Sequence, residues 1–203
     1  MKCRKNFWAA PKGKIIGAVL AGGTSRRYGK EKALLEWNGR SFLDIAASRL
    51  GKVCGDVVVS VDKKGRFTTQ QAAREIEDVM PGQGAGVGIL SVLRAHEGCA
   101  VLVTPVDMPL MRESTLQALL RARDWGASAV VLEVDGIQQP LVGVYEPEAA
   151  AVIEECLRRD ERKLVIMTHA MGAAVVRPPA AEEPYLVNIN SPGDFKRLQA
   201  GDL

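Results

Sequence analysis

The chain has 203 residues, of which 47% are hydrophobic and 25% charged, and its formal net charge is +3. This length is enough to bury one sizeable core and is close to the usual size of one domain. No apolar run reaches the roughly 18 residues that a membrane-spanning helix needs. The small, dispersed positive charge is unlike the concentrated basic patch of nucleic-acid binders. We therefore expect one domain that binds neither membranes nor nucleic acid.

The first 13 residues, MKCRKNFWAAPKG, are basic but lack the apolar segment and cleavage site of a signal peptide. We expect residues 1–13 to be a flexible extension and residues 14–203 to form the folded domain. The four cysteines are widely separated, without the paired spacing of zinc sites or redox motifs. This usage indicates reduced thiols and a cytoplasmic location.

Strand-like and helix-like patterns alternate along the domain. The apolar run at 14–20, KIIGAVL, predicts a buried strand, and the segments at 41–53 and 56–61 predict a helix and a second strand. Helices are then predicted at 86–96 and 113–124, and strands at 100–106 and 127–133. Because parallel strands need crossovers, this alternation predicts an α/β fold, a single three-layer Rossmann-like domain with a mostly parallel central sheet.

The last third of the chain continues the pattern. A strand is predicted at 139–145, followed by helices at 147–158 and 162–171. Short strands are predicted near 173–177 and 185–189. A last helix is predicted to begin with Ser191 as its N-cap and Pro192 as its first residue.

The loop after the first predicted strand, LAGGTSRRYGKEK at 20–32, lies where open parallel sheets bind ligands. Its glycines let backbone N–H groups approach a nucleotide, and its basic residues can neutralise a triphosphate. These basic residues are Arg26, Arg27, Lys30 and Lys32. The spacing is neither that of a P-loop nor that of a dinucleotide-binding GxGxxG motif. A glycine turn beside a solvated basic run is the alternative interpretation.

One carboxylate, Asp107, closes the strongly apolar strand in TPVDMP. Such an aspartate can ligate Mg²⁺, which prefers hard oxygen ligands and bridges phosphates. The alternative is that Asp107 caps the next helix or turn. Later, YLVNINSP places Asn188 and Asn190 on one face of a predicted strand, where they could complete a metal or substrate site or only form a turn.

Three segments together, LAGGTSRRYGKEKALLEWNGRSFLD, TPVDMPLM and NINSPGDF, resemble the molybdenum cofactor guanylyltransferases of the nucleotidyltransferase superfamily. The resemblance covers the chain from Ile15 to Leu198. It implies a nucleotidyltransferase domain of the GT-A, nucleotide-diphospho-sugar transferase type at 14–203. It also implies Mg²⁺-dependent transfer of GMP from GTP to molybdopterin, with release of pyrophosphate. GTP and molybdopterin are the implied partners, and the family context adds proteins that insert the molybdenum cofactor.

The resemblance also implies roles for single residues. Backbone groups of the loop would hold the nucleotide, Arg27 and Lys32 would contact the triphosphate, and Asp107 would ligate Mg²⁺. Asp78 in EIEDVMPGQGAG would recognise guanine or ribose. The two asparagines would lie near the metal and the acceptor, with Asn190 closer to the ion. The implied site residues are Leu20, Ala21, Gly22, Gly23, Arg27, Lys32, Asp78, Asp107, Asn188 and Asn190.

The chain departs from the family pattern after its second strand, where the family often has an asparagine. Here Ser60 and Asp62 are available, and that contact stays unassigned. Tyr28 stands where methionine is frequent. The basic run at 158–163 is either a solvated face or an anchor for the acceptor phosphate. His96 and His169 have no second ligand at metal-binding spacing, which favours structural roles.

Three rival functions remain open on the sequence. A cytidylyltransferase acting on the same pterin would share the fold and the metal site, although the Gly22–Gly23 pair resembles the guanine type more closely. A nucleotide-sugar pyrophosphorylase is less expected at this length. A catalytically silent nucleotide-binding module is the non-enzyme alternative, against which the presence of Lys32, Asp107 and both asparagines argues.

Overall fold

The computed structural model describes residues 13–22, 32–67, 73–123 and 126–203. Its strands are β1 Ile15–Leu20, β2 Glu36–Trp37, β3 Arg40–Ser41, β4 Asp56–Val61, β5 Arg74–Glu77, β6 Ala100–Pro105, β7 Ala129–Val134, β8 Ile137–Tyr145 and β9 Ala174–Val176. Its helices are α1 Phe42–Gly51, α2 Ala85–Ala95, α3 Glu113–Ala122, α4 Ala149–Arg158, α5 Leu164–Ala170 and α6 Pro192–Ala200. Two short 3₁₀ helices are Lys32–Leu34 and Glu183–Tyr185.

Seven of these strands form one sheet in the order β5-β4-β1-β6-β8-β7-β9. β1 pairs in parallel with β4 and β6, and β4 pairs in parallel with β5. β8 runs antiparallel to both of its neighbours, β6 and β7, whereas β9 is parallel to β7. The prediction of a mostly parallel α/β sheet is confirmed.

Helices cover both faces of this sheet. Side chains on β1 alternate between the two faces: Ile16 and Ala18 pack with α2, α4 and α5, whereas Val19 packs with α1 and α3. This alternation follows from the period of two along a strand. α6 packs separately, where Leu198 and Ile189 enclose Phe42 at the start of α1. No helix among the described residues is long and apolar enough to cross a membrane.

The prediction of a strand at 185–189 is wrong. Residues 183–185 form a 3₁₀ turn and 186–190 run without strand pairing, although Leu186 and Ile189 are buried. Alternating apolar and amide residues produced the false signal, because the segment buries one side without joining a ladder. Most of the predicted extension, residues 1–12, lies outside the described part of the chain.

A small hairpin, β2–β3, was not predicted. Its turn is Asn38-Gly39, with φ of 52° and 74°. Positive φ at both central residues is the requirement of a type I′ hairpin turn, for which Asn-Gly is the strongest short signal. The dipeptide was therefore readable in the sequence.

Candidate active site

The site lies at the carboxyl edge of the sheet, where β1, β4 and β6 end side by side. Leu20, the last residue of β1, lies opposite Ser60 of β4 and Pro105 of β6. The N–H of Ala21 extends this register by donating to the carbonyl of Ser60 at 3.0 Å. The glycine loop therefore leaves the sheet between two neighbouring strand ends, as expected for a ligand site in this kind of fold.

A cleft of about 260 Å³ opens on the β4 side of this edge. Four glycines contribute to its lining, which consists of Leu20, Gly22, Ser60, Asp62, Asp78, Gly82, Gly84, Ala85 and Gly88. A Cβ at Gly88 would lie 2.6 Å from Ser60 Oγ and 3.5 Å from Asp78 Oδ1. Glycine at 88 is thus required for α2 to approach the strand ends this closely.

Asp78 presents its carboxylate to the cleft. Its N–H donates to the carbonyl of Val61 at 2.8 Å, which fixes its backbone beyond the end of β5. Ser60 Oγ donates to Asp78 Oδ1 at 2.9 Å. Burial raises the pKa of Asp78 from its ordinary value, and the Ser60 hydrogen bond opposes that shift while the charges of Asp62 and Glu77 add to it.

Asp62 is a second carboxylate in the same cleft, and it forms an ion pair with Arg66. The loop that carries Arg66 is organised around Glu75 of β5. The Glu75 carboxylate accepts the backbone N–H groups of Gly65, Arg66 and Phe67, the last two at 3.1 and 2.7 Å. Arg66 also lies over the ring of Phe67, 5.3 Å from its centroid. A structured loop therefore holds a cation beside Asp62.

Lys32 joins three distant segments on the β6 side of the edge. Its Nζ donates to Asp107 Oδ2 at 3.0 Å and to Asn190 Oδ1 at 2.7 Å. The side chains of Lys32 and Asp107 retain only 15% and 20% exposure. The alternative that Asp107 caps a helix is not supported, because α3 begins with Arg112 as its N-cap.

The segment that carries Asn190 is held at both ends. The N–H of Ile189 donates to the carbonyl of Asp107 at 2.8 Å. Asp194 Oδ2 accepts the N–H groups of Asn190 and Ser191, at 2.9 and 2.8 Å, within a capping box at the start of α6. These backbone hydrogen bonds lower the pKa of Asp194. The predicted N-cap at Ser191 is confirmed.

The residues around Asp107 fit a Mg²⁺ ion of the kind that is completed by substrate phosphates. Asp107 Oδ1 is buried and has no hydrogen-bond partner in the described parts of the chain. An unsatisfied buried carboxylate oxygen is costly, and it is the hard ligand that Mg²⁺ prefers. The described residues contain no group of three or more His, Cys, Asp or Glu that could hold a metal. The described residues therefore fit a Mg²⁺ ion that is held by one carboxylate and completed by waters and substrate phosphates.

Residues 17–174 match the family of MobA-like NTP transferase domains. The chain belongs to this family. A Bacillus licheniformis protein named probable molybdenum cofactor guanylyltransferase is 30% identical over 193 residues, which cover 92% of this chain and 97% of that protein. A protein of the same name from Opitutus terrae is 32% identical over 190 residues, with coverage of 90% and 94%. The resemblance stated from the sequence motifs is confirmed.

Solved structures agree on the fold of this MobA-like chain. Molybdopterin-guanine dinucleotide biosynthesis protein A from Archaeoglobus fulgidus superposes with a TM-score of 0.78 at 24% identity, covering 92% of this chain and 98% of that one. The 2-C-methyl-D-erythritol 4-phosphate cytidylyltransferase of Thermus thermophilus gives 0.67 at 16%, with coverage of 91% and 97%. The family membership makes this protein a nucleotidyltransferase.

The structure brings most of the predicted site residues of this MobA-like domain to one edge. Leu20, Gly22 and Asp78 line the cleft, Ala21 is fixed against β4, and Lys32, Asp107 and Asn190 form one cluster. Asn188 is half-buried in the same segment as Asn190, which is not a strand. Gly23 and Arg27, like the rest of 23–31, lie outside the described residues.

The basic run after α4 is largely paired with nearby acids. Arg158 and Arg159 form ion pairs with Glu155, and Arg162 pairs with Asp160. The carbonyl of Arg162 nevertheless approaches Gly84 at the rim of the cleft. An anchor for the acceptor phosphate at this run stays a prediction.

Two residues near the site escaped the sequence reasoning, and the contact of a third, Ser60, was left unassigned. Ser60 contacts Asp78, and Arg66 contacts Asp62 within a turn, where the helical spacing rule for ion pairs does not apply. Arg49 contacts the loop after Asp107. Arg49 lies seven residues after the buried Phe42, so the helical period places it on the buried face of α1. A charged residue on the buried face of a predicted helix was the signal that could have identified Arg49.

Proposed function

We propose that this nucleotidyltransferase moves GMP from GTP to molybdopterin and thereby forms the molybdopterin guanine dinucleotide. A phosphate oxygen of molybdopterin forms a bond to the α-phosphorus of GTP. The bond from that phosphorus to the bridging oxygen of the β-phosphate breaks, and its electron pair leaves with pyrophosphate. The names of the curated relatives support the substrates, and the arrangement of the cleft supports the choice of base.

The observation that carries the proposal is the pair of carboxylates in the cleft, Asp62 and Asp78. An ionised carboxylate accepts hydrogen bonds and donates none. Guanine presents two adjacent donors, N1–H and the 2-amino group, on one edge, and the ribose adds two hydroxyl donors. Cytosine presents one amino donor beside two acceptors on the corresponding edge. A cleft lined by two acceptor-only groups is therefore better matched to guanosine than to cytidine.

Lys32 is suited to the triphosphate. Its ammonium group has three N–H donors, of which Asp107 and Asn190 accept two. Among the described residues the third has no acceptor and is available to a phosphate oxygen, and the two acceptors hold the amine beside Asp107, just after β6. Positioning and charge neutralisation are the main contributions that phosphoryl-transfer enzymes make.

Asp107 would hold Mg²⁺ through the buried Oδ1, while Oδ2 remains with Lys32. A bound Mg²⁺ supplies positive charge that neutralises the phosphate oxygens in the transition state. The attacking phosphate oxygen is already anionic, so the reaction needs no strong general base. The cluster accordingly contains no candidate base among the described residues besides carboxylates engaged in binding.

The test is incubation of the protein with molybdopterin, Mg²⁺ and each of the four NTPs in turn, with mass detection of the pterin dinucleotide. We expect a product with GTP, together with one pyrophosphate released per product. A product formed only with CTP would identify a cytidylyltransferase. No product with any NTP, while GTP still raises the melting temperature, would identify a nucleotide-binding module without this activity.

A further inference from the structure

Arg49 is a buried cation next to the candidate metal ligand. Its side chain leaves the inner face of α1 and is only 7% exposed. Nη1 donates to the carbonyl of Met108 at 3.0 Å, and Nη2 donates to the carbonyl of Pro109 at 2.7 Å. These carbonyls belong to the two residues that follow Asp107. One planar guanidinium thus binds two consecutive peptide groups of the loop that carries Asp107.

No carboxylate forms a salt bridge with Arg49 in the described parts of the chain. Burial lowers the pKa of Arg49 to about 10, and the charge of Glu113 only partly offsets this effect. A buried charge without an ionic partner opposes folding unless hydrogen bonds satisfy it. An apolar side chain of similar length would fill the same volume without that cost. The use of arginine here therefore calls for a role beyond packing.

The loop after β6 is held from two sides. On one side, Arg49 binds the carbonyls of residues 108 and 109. On the other, Ile189 donates its N–H to the carbonyl of Asp107. Met108 and Met111 are buried beneath the loop, so its apolar side chains face inward. The orientation of the Asp107 carboxylate depends on this backbone together with Lys32, which donates to Oδ2, because Oδ1 has no protein donor within the described residues.

We propose that Arg49 is a positioning residue for nucleotidyl transfer, which fixes the backbone of 107–109 so that Asp107 meets Lys32 and a divalent cation in the productive orientation. This inference rests on the proposed function for its catalytic consequence. Groups that orient a metal ligand usually contribute about tenfold to a hundredfold to metal affinity or activity. Arg49 belongs to this class, although it acts through the peptide groups and not through the carboxylate.

Arg49→Met separates positioning from stability. The methionine retains apolar bulk and removes both hydrogen bonds and the charge. Arg40→Met is the matched control, because Arg40 lines the same cavity between α1 and α3 and donates to one backbone carbonyl, that of Asp44, at 3.0 Å. Arg40 does not bind the 107–109 loop. Arg49→Lys keeps the charge but lacks the planar pair of donors that matches two consecutive carbonyls, and it should give an intermediate result.

Four measurements are made on the full chain, and only the steady-state kinetics need an acceptor. Mn²⁺ affinity is measured by electron paramagnetic resonance in the presence of GTP, and exchange of the Ile189 amide is followed by mass spectrometry or NMR. Arg49→Met should weaken Mn²⁺ binding by at least about tenfold and speed Ile189 exchange, with a melting temperature close to that of the native protein. Its kcat should fall by a similar factor while KM for GTP changes by less than about twofold. Arg40→Met should change none of these.

Native Mn²⁺ affinity and native Ile189 exchange in Arg49→Met would overturn the inference. If that variant does not fold, Arg49→Lys decides: weakened Mn²⁺ binding at an unchanged melting temperature supports positioning, and unchanged binding contradicts it. Failure of the native protein to form a pterin dinucleotide would contradict the proposed function alone, since the Mn²⁺ and exchange measurements do not depend on product.

Discussion

Ser60 Oγ donates a 2.9 Å hydrogen bond to Asp78 Oδ1, and this bond joins the end of β4 to the residue after β5. The other oxygen, Oδ2, faces Gly22 of the glycine loop. One oxygen of the carboxylate is thus satisfied within the protein and the other is turned toward the space for a ligand. The carboxylate of Asp78 is thus positioned to bind a ligand, but its negative charge opposes folding because the group is partly buried.

Asp78→Asn should therefore stabilise the free protein at pH 7 while weakening GTP binding. The pKa of Asp78 is raised in the folded protein. Its contribution to the free energy of unfolding is therefore fully present below the pKa of the unfolded chain, about 3.9, and is lost as the pH rises through the pKa of the folded protein. The advantage of the amide should then shrink as the pH is lowered through the folded pKa. Thermal unfolding from neutral to acidic pH measures this trend. Asp135→Asn, in the exposed β7–β8 turn, is the control for the chemical change from carboxylate to amide. A native-like melting curve for Asp78→Asn at every pH would contradict the assignment.

The Asp62–Arg66 pair should act as a unit in nucleotide binding. Removing the cation with Arg66→Met leaves the Asp62 charge unopposed in the cleft that receives the nucleoside of an anionic nucleotide. GTP affinity should fall by about two- to fivefold, the range expected of a partly exposed charge pair. Asp62→Asn alone should also weaken GTP binding, because an acceptor is lost, and in the Arg66→Met background it should cost less than it does alone. Calorimetry on the two single variants and the double variant measures the coupling. Strictly additive effects would show that Arg66 acts elsewhere.

Lys32→Ala should weaken GTP binding by roughly tenfold to a hundredfold, because one charge-assisted phosphate contact is lost. The affinity for molybdopterin should change little. The reverse pattern is expected for the double variant Arg158→Ala, Arg162→Ala if the basic run after α4 anchors the acceptor phosphate. Calorimetric titration of each variant with GTP and with molybdopterin distinguishes these results. Unchanged GTP affinity in Lys32→Ala would remove the amine from the triphosphate site.

Asp107→Asn should fold normally and lose at least about a hundredfold in turnover, as when a major electrostatic contributor is removed. The amide keeps the shape of the side chain but lacks the charge that attracts a divalent cation and pairs with Lys32. Steady-state kinetics at rising Mg²⁺ concentration tests this, with circular dichroism as the control for folding. Turnover close to the native rate would show that the carboxylate serves the structure only.

The predicted sheet and the strand-end aspartate followed from local patterns. The apolar run before Gly22 and the one before Asp107 are long enough to specify buried strands, and parallel strands bring their carboxyl ends to one edge. The capping box at Ser191 was equally local. These features depend on residues that are close in sequence, so they could be predicted from the sequence alone.

Other features depend on partners far along the chain. Leu186 and Ile189 are buried like strand residues, but Ile189 bonds to the Asp107 carbonyl instead of to a ladder. Likewise, nothing near Arg49 in the sequence indicates that it binds carbonyls 59 and 60 residues away. Tertiary contacts of this kind leave no periodic pattern, which is why the sequence did not predict them.

The contacts of Lys32 span 75 residues to Asp107 and 158 residues to Asn190. During synthesis, the strands that border the glycine loop can pair once residue 105 has left the ribosome, long before Asn190 is available. Closing such long loops is slow compared with local pairing. A nascent chain can therefore form a nearly complete sheet before Lys32 makes its contact with the side chain of Asn190. The enzyme should gain activity as one of the last events of its maturation, when the segment before α6 docks.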